Sequence, residues 1–163
     1  LMDQMQQKLE DERNRMKAIV DSMGEGLLVV DIHYVITMAN PVAERLLGLS
    51  ASETIGFKWS EVVTAYEGDR EIPFDQRTSI VVINTGSTIV TNLEAGHYYK
   101  TKAGNTFPVV SVTAPIISSH GITGAVKVFH DASEELGRKK GYIDKVEALE
   151  KEIFELKARL GEK

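Results

Sequence analysis

Cysteine is absent from the 163 residues. Its absence removes disulfides, thiolate catalysis, Cys-ligated zinc and any cysteine-linked flavin photochemistry, and it fits a reducing, cytoplasmic setting. Long apolar runs are missing too. The run Leu27 to Val30 is far too short to cross a bilayer, and no signal-peptide pattern opens the chain. No membrane contact by this chain is therefore expected, although a parent protein could still be membrane-anchored. Basic residues are not in excess: 19 Lys and Arg face 24 Asp and Glu, a formal net charge of −5. That balance argues against nucleic acid as a main partner. No Gly-rich loop opens a helix after a strand in phosphate-binding form, no nucleophile sits in a catalytic motif, and no metal-ligand spacing is present. The expectation is a binding or relay module, not an enzyme.

What is present falls into three zones. From residue 1 to 23 there is no Gly or Pro, and Met2, Met5, Leu9, Met16, Ile19 and Met23 follow a three-four spacing. This predicts an amphipathic helix with a loose coiled-coil seam, because methionine specifies packing poorly. Residues 24–132 hold all four prolines and the single tryptophan. Here Leu27–Asp31 and Val35–Ala39 read as strands around a turn at Ile32-His33-Tyr34. Asn40-Pro41 is an N-cap followed by a residue preorganised for the first helical position, so a helix is predicted from there to Gly48. Ser50-Ala51-Ser52-Glu53 has capping-box form and predicts a second short helix. Trp59–Val63 reads as one further helical turn, Glu67, Asp69 and Glu71 as a solvated loop, and Asp75–Asn84 as a helix capped by Asp75. Thr88–Leu93 and His97–Lys102 read as one interrupted strand or two short ones, and strands follow over Thr106–Ile117 and Ile122–His130. Asp131-Ala132-Ser133-Glu134 repeats the capping-box form, with Asp131 as the expected N-cap of the third zone, residues 133–163.

That last zone carries the clearest heptads. Val146, Ile153 and Leu160 take a positions; Tyr142, Leu149 and Leu156 take d positions. Branched residues at a with Leu at d favour parallel dimers. The flanking charges agree, since Lys145 can reach Glu150 of a partner helix and Glu152 can reach Lys157. A homodimer through parallel helices is expected. Gly137 and Gly141 weaken the start of this helix by about 1 kcal/mol each relative to alanine. The chain opens at Leu1 and closes inside the heptad pattern, so an effector domain is expected elsewhere in a longer parent chain.

The middle zone resembles a PAS domain, the cytosolic sensor module of bacterial signalling proteins. Four stretches carry the resemblance: Ile19–Asp31, Ile36–Gly48, Gly104-Asn105-Thr106-Phe107-Pro108-Val109, and Gly124–Asp131. Two positions depart from the family pattern: Ala103 replaces the usual Asp of the late turn, and the exit triplet is Asp131-Ala132-Ser133. The resemblance implies an α+β fold, a five-stranded antiparallel sheet with short helices on one face, flanked by amphipathic helices at both ends. It implies a ligand cavity between sheet and helices, for which Trp59, Tyr66, Phe74, Ile80, Ile83, Val110 and Val112 are candidates. The cofactor is left unknown; the lack of His over 75–88 disfavours haem held from the long helix. The implied function is a sensory and dimerisation module with a possible small-molecule ligand. It would relay a signal through Asp131, Ser133 and Glu134 to a histidine kinase. The alternatives are a diguanylate cyclase, a transcription activator, or a ligand-free dimerisation spacer.

Overall fold

The computed structural model describes residues 2–22 and 24–161, so Met23 of the predicted seam lies outside the described residues. The chain divides into two compact units, 1–131 and 132–163. The sequence placed a border at 132/133, one residue later, and a second one after residue 23.

In the first unit, α1 (Met2–Ser22) precedes the strands β1 (Gly26–Asp31) and β2 (Ile36–Ala39). Between them the Asp31 carboxylate accepts from the backbone N–H groups of His33 (2.8 Å) and Val35 (3.1 Å). This side-chain turn holds Tyr34 at φ 67°. Three short helices follow: α2 (Pro41–Leu47), α3 (Ala51–Thr54) and α4 (Trp59–Val62). At α3 the Glu53 carboxylate accepts from the Ser50 N–H (3.2 Å) and hydroxyl (2.9 Å). Those two bonds, the hydroxyl first, hold the carboxyl below its usual range.

Asn40 does more than cap α2. Its Oδ1 accepts from Ala43 N and Leu27 N, both at 2.9 Å, and its Nδ2 donates to Glu25 O at 3.0 Å. One buried amide thus joins the helix N-terminus to the start of β1. Asn40→Ala is expected to cost about 3 kcal/mol, a cap plus two further orphaned backbone groups. Urea denaturation should show the midpoint falling with an unchanged slope.

The chain continues through β3 (Val63–Glu67), β4 (Arg70–Glu71), a 3-10 turn at Phe74–Gln76, α5 (Thr78–Thr85) and β5 (Ile89–Thr91). It ends in the meander β6 (His97–Thr101), β7 (Thr106–Ser118) and β8 (Gly121–Asp131). The sheet is antiparallel with order β2-β1-β8-β7-β6-β3-β4, and β5 pairs with β7. The strands β2-β1-β8-β7-β6 and the short β5 fall in the predicted stretches, and β3 and β4 extend the sheet beyond them. Glu67 and Glu71 therefore stand in a hairpin, not a free loop, with Arg70 bonded to Glu67 at 3.1 Å. Asp75 falls inside the 3-10 turn, and Arg77 occupies the N-cap position of α5. The backbone pauses there because the turn closes on itself through Gln76 N to Pro73 O and Arg77 N to Phe74 O.

The core lies between the sheet and the short helices. Leu28, Val30, Ile36, Leu47, Val62, Val82 and Phe129 are essentially inaccessible. Phe129 anchors an aromatic cluster, with ring centroids 5.8 Å from Tyr99 and 6.0 Å from Trp59. The second unit is one helix, α6 (Ser133–Gly161), which runs through Gly137 and Gly141 without a break.

Candidate functional site: a polar cavity inside an apolar sheet

The inner face of the sheet is set by period-two alternation. Along β8, Ala125, Lys127 and Phe129 are buried, while Val126, Val128 and His130 lie on the opposite face. Along β7, Phe107, Val109, Ser111 and Thr113 are buried and Val110 and Val112 alternate with them. The strands are in register, with Thr113 opposite Lys127 and Val112 opposite Val128. The middle of the inner face is consequently polar. Leu27, Val29, Val110, Val112, Val126 and Val128 make the outer face apolar.

The polar inner groups bond to one another. Lys127 Nζ donates to the Thr78 hydroxyl of α5 at 2.7 Å and to the Tyr99 hydroxyl of β6 at 3.0 Å. The same ammonium stands 5.3 Å from the centroid of Trp59 and 5.5 Å from that of Tyr99, within cation–π range. Thr113 donates to Thr78 at 3.2 Å, and Thr91 and Ser111 share a hydrogen bond of 2.6 Å. Arg77 reaches in from the start of α5, and its Nη2 donates to Val63 O at 2.6 Å. Burial lowers the Arg77 guanidinium pKa, against the opposing pulls of Tyr99 and Glu71. Burial also pushes the half-buried His97 imidazole down; Glu67 opposes this and Lys127 adds to it. These side chains enclose a cavity of about 10 Å³, room for about one water molecule.

Of the predicted cavity residues, Trp59 lines this space. Ile80 is buried and Ile83 packs against the core. Phe74 is 49% exposed and meets Tyr34 edge-on at 5.7 Å. Tyr66 lines a separate surface groove beside Tyr98 and Lys100. Val110 and Val112 are corrections: they lie on the far face of the sheet, because strand pairing sends Ser111 and Thr113 inward instead. Lys127, Arg77, Thr78 and Tyr99 escaped the sequence reading. A lysine between two valines suggests an outward position, and only the buried neighbours Ala125 and Phe129 reveal the opposite phase.

The outer face has its own feature. A cleft of about 570 Å³ runs between α1 and the sheet, lined by Met16, Val20, Leu27, Val29, Met38 and Ile116 among others. Ile19, also in the predicted seam, is 47% exposed. On α6 the predicted heptad residues form one stripe. Tyr142, Leu149, Ile153, Leu156 and Leu160 are each about half exposed or more, and Val146 is partly covered. At the proposed junction, Asp131 is the last residue of β8, paired with Val109. α6 begins at Ser133, so strand hands over to helix across Ala132. Glu134 bonds Arg138 at 3.1 Å within α6.

An antiparallel sheet covered on one face by short helices, enclosing a small polar cavity and flanked by long helices, defines a sensor-type α+β domain. The comparisons agree. The PAS fold family matches residues 14–132, and the chain belongs to the PAS family. The "Probable diguanylate cyclase DgcE" of Escherichia coli is 26% identical over 132 residues, 80% of this chain and 11% of that protein. The "Sensor protein kinase FleS" of Pseudomonas aeruginosa is 36% identical over 69 residues, 41% of this chain and 16% of that protein. The chain thus spans less than a fifth of the length of these two relatives. The crystal structure of the PAS domain of nitrogen regulation protein NR(II) from Vibrio parahaemolyticus shares the fold, with a TM-score of 0.53 at 18% identity. That match covers 71% of this chain and 95% of that one. As a PAS domain the chain is a regulatory sensor module of a signalling protein, not itself catalytic. Among the described residues no helix is long and apolar enough to cross a membrane.

Proposed function

We propose that this chain is the cytoplasmic sensor module of a histidine kinase, acting as a homodimer through parallel α6 helices. A ligand bound between sheet and helices would alter the inner layer, and the change would leave the domain through Asp131, Ser133 and Glu134 into α6. The observation that carries this reading is covalent and direct: β8, which bears Lys127 and Phe129, passes within one residue into a 29-residue helix. The exposed heptad stripe supports the dimer, as does the apolar outer face beside α1. Similarity to FleS supports the kinase. Similarity to DgcE over more of the chain supports a second reading, the same module driving a diguanylate cyclase.

The relay is tested at Gly137 and Gly141, around which a methyl group would meet nothing within 4 Å. Replacing both with alanine is expected to stabilise α6 by about 1 kcal/mol per site without disturbing the domain. In the parent protein the double variant should change basal kinase or cyclase output. Output and regulation identical to wild type would show that α6 does not carry the signal.

A further inference from the structure

Among the described residues, two cations are buried in this domain with no carboxylate in an ion pair with either. Lys127 is 3% exposed and Arg77 is 7% exposed, and both line the cavity behind Trp59. Buried charges are ordinarily paired, because an isolated one loses its hydration. Here the partners are neutral. Of the three donors of the Lys127 ammonium, Thr78 and Tyr99 take two. Arg77 uses Nη2 on a carbonyl, and its buried Nε has no acceptor at all. Among the described residues no Asp or Glu lines the cavity. Glu71 pulls on Arg77 only from an exposed position on β4, and Glu67 is paired with Arg70.

We infer that this cavity receives the carboxylate group of a small organic acid, held by Lys127 Nζ and Arg77 Nε beside Trp59. The inference rests on the reading of the domain as a ligand-receiving sensor, and it names the chemical class. A carboxylate offers two oxygens to the two unfilled donors. The body of the acid needs more room than a space of about 10 Å³. The wall away from β6, β7 and β8 includes Trp59 of α4 and Arg77 and Thr78 at the start of α5, so admission displaces short elements and leaves those strands intact.

Trp59 is the only tryptophan and lines this cavity, so its emission reports on it. The chain is titrated at pH 7 with sodium acetate, propionate and succinate, with chloride and phosphate as controls at matched ionic strength. At least one carboxylate is expected to give a saturable emission change. The melting temperature should rise by about 5 °C or more at a hundredfold excess over Kd. Lys127→Met removes the ammonium at similar length, and Arg77→Lys keeps a charge while losing Nε; each should weaken binding about tenfold. The inference is overturned by no saturable response to the three acids, by an equal response to chloride or phosphate, or by undiminished binding in both variants. Such a failure leaves the relay standing with a ligand of another class. A chain that binds carboxylates while the α6 variants leave output unaltered keeps this site and loses the relay.

Discussion

Phe129→Ala is expected to destabilise the first unit by about 3–5 kcal/mol, the range for removing a fully buried aromatic ring. The ring is completely inaccessible and is met by Trp59, Tyr99 and the backbone of β1. Gly26 is paired directly opposite, where an added Cβ would stand 3.0 Å from Cζ of the ring. The same Cβ would stand 3.2 Å from Ala43 Cα of α2. Sheet, helix and ring therefore close on one another with no slack, and the void left by alanine cannot collapse. Small domains hold only about 5–15 kcal/mol in total, so the variant should lose a large share of its stability. Urea titration checks the value. The emission of Trp59 should shift to the red in the folded variant as water reaches the vacated space. A loss under about 1 kcal/mol would show that the cluster is not the keystone of the core.

Gly124→Ala is expected to cost about 3 kcal/mol or more, for a different reason. Gly124 pairs with Asp31 on β1, and its φ is not in the left-handed region. Conformation is not the obstacle; space is. A Cβ at this position would overlap the carbonyl oxygen of Val30 and stand 3.2 Å from its carbonyl carbon and 3.3 Å from Asp31 Cα. These are backbone atoms and cannot swing aside as a side chain would. The end of the β1–β8 ladder must open. Amide hydrogen exchange should show lost protection at Val30 and Asp31 first. The alanine variants of Gly137 and Gly141 are the natural contrast, because the same added methyl group enters open space there and is expected to stabilise. Three glycine-to-alanine changes thus have opposite signs, decided by what a Cβ meets.

The buried cluster around Lys127 bears on stability as well as on ligand. Thr78 of α5 and Tyr99 of β6 accept from the ammonium, and Thr113 of β7 donates to Thr78. The helical layer is therefore tied to the sheet by polar bonds at the same place where the cavity lies. A ligand that takes over one of those bonds changes the attachment of α5, and β8 is the strand that leads to α6.

Several features were determined by the sequence alone, because their physics is local. The Asn40 cap, the turn at Ile32-His33-Tyr34, the helix stop at Gly48 (φ 68°) and the heptad stripe of α6 depend on residues within a few positions of each other. The five main strands were legible for the same reason, and so was the family resemblance, which rests on those local signals in order. The face that each strand presents was decided only by the tertiary structure. A strand alternates with period two, and a slip of one residue exchanges its faces. Nothing local says whether Val110, Val112, Val126 and Val128 face the core, or Ser111, Thr113 and Lys127. The pairings of β7 with β8 and β8 with β1, together with the seat of Phe129 over Gly26, settle that choice. They turn the valines outward and bury a lysine and two hydroxyl residues. The candidate site was hidden in the sequence because it occupies the phase that hydrophobicity alone would have assigned to solvent.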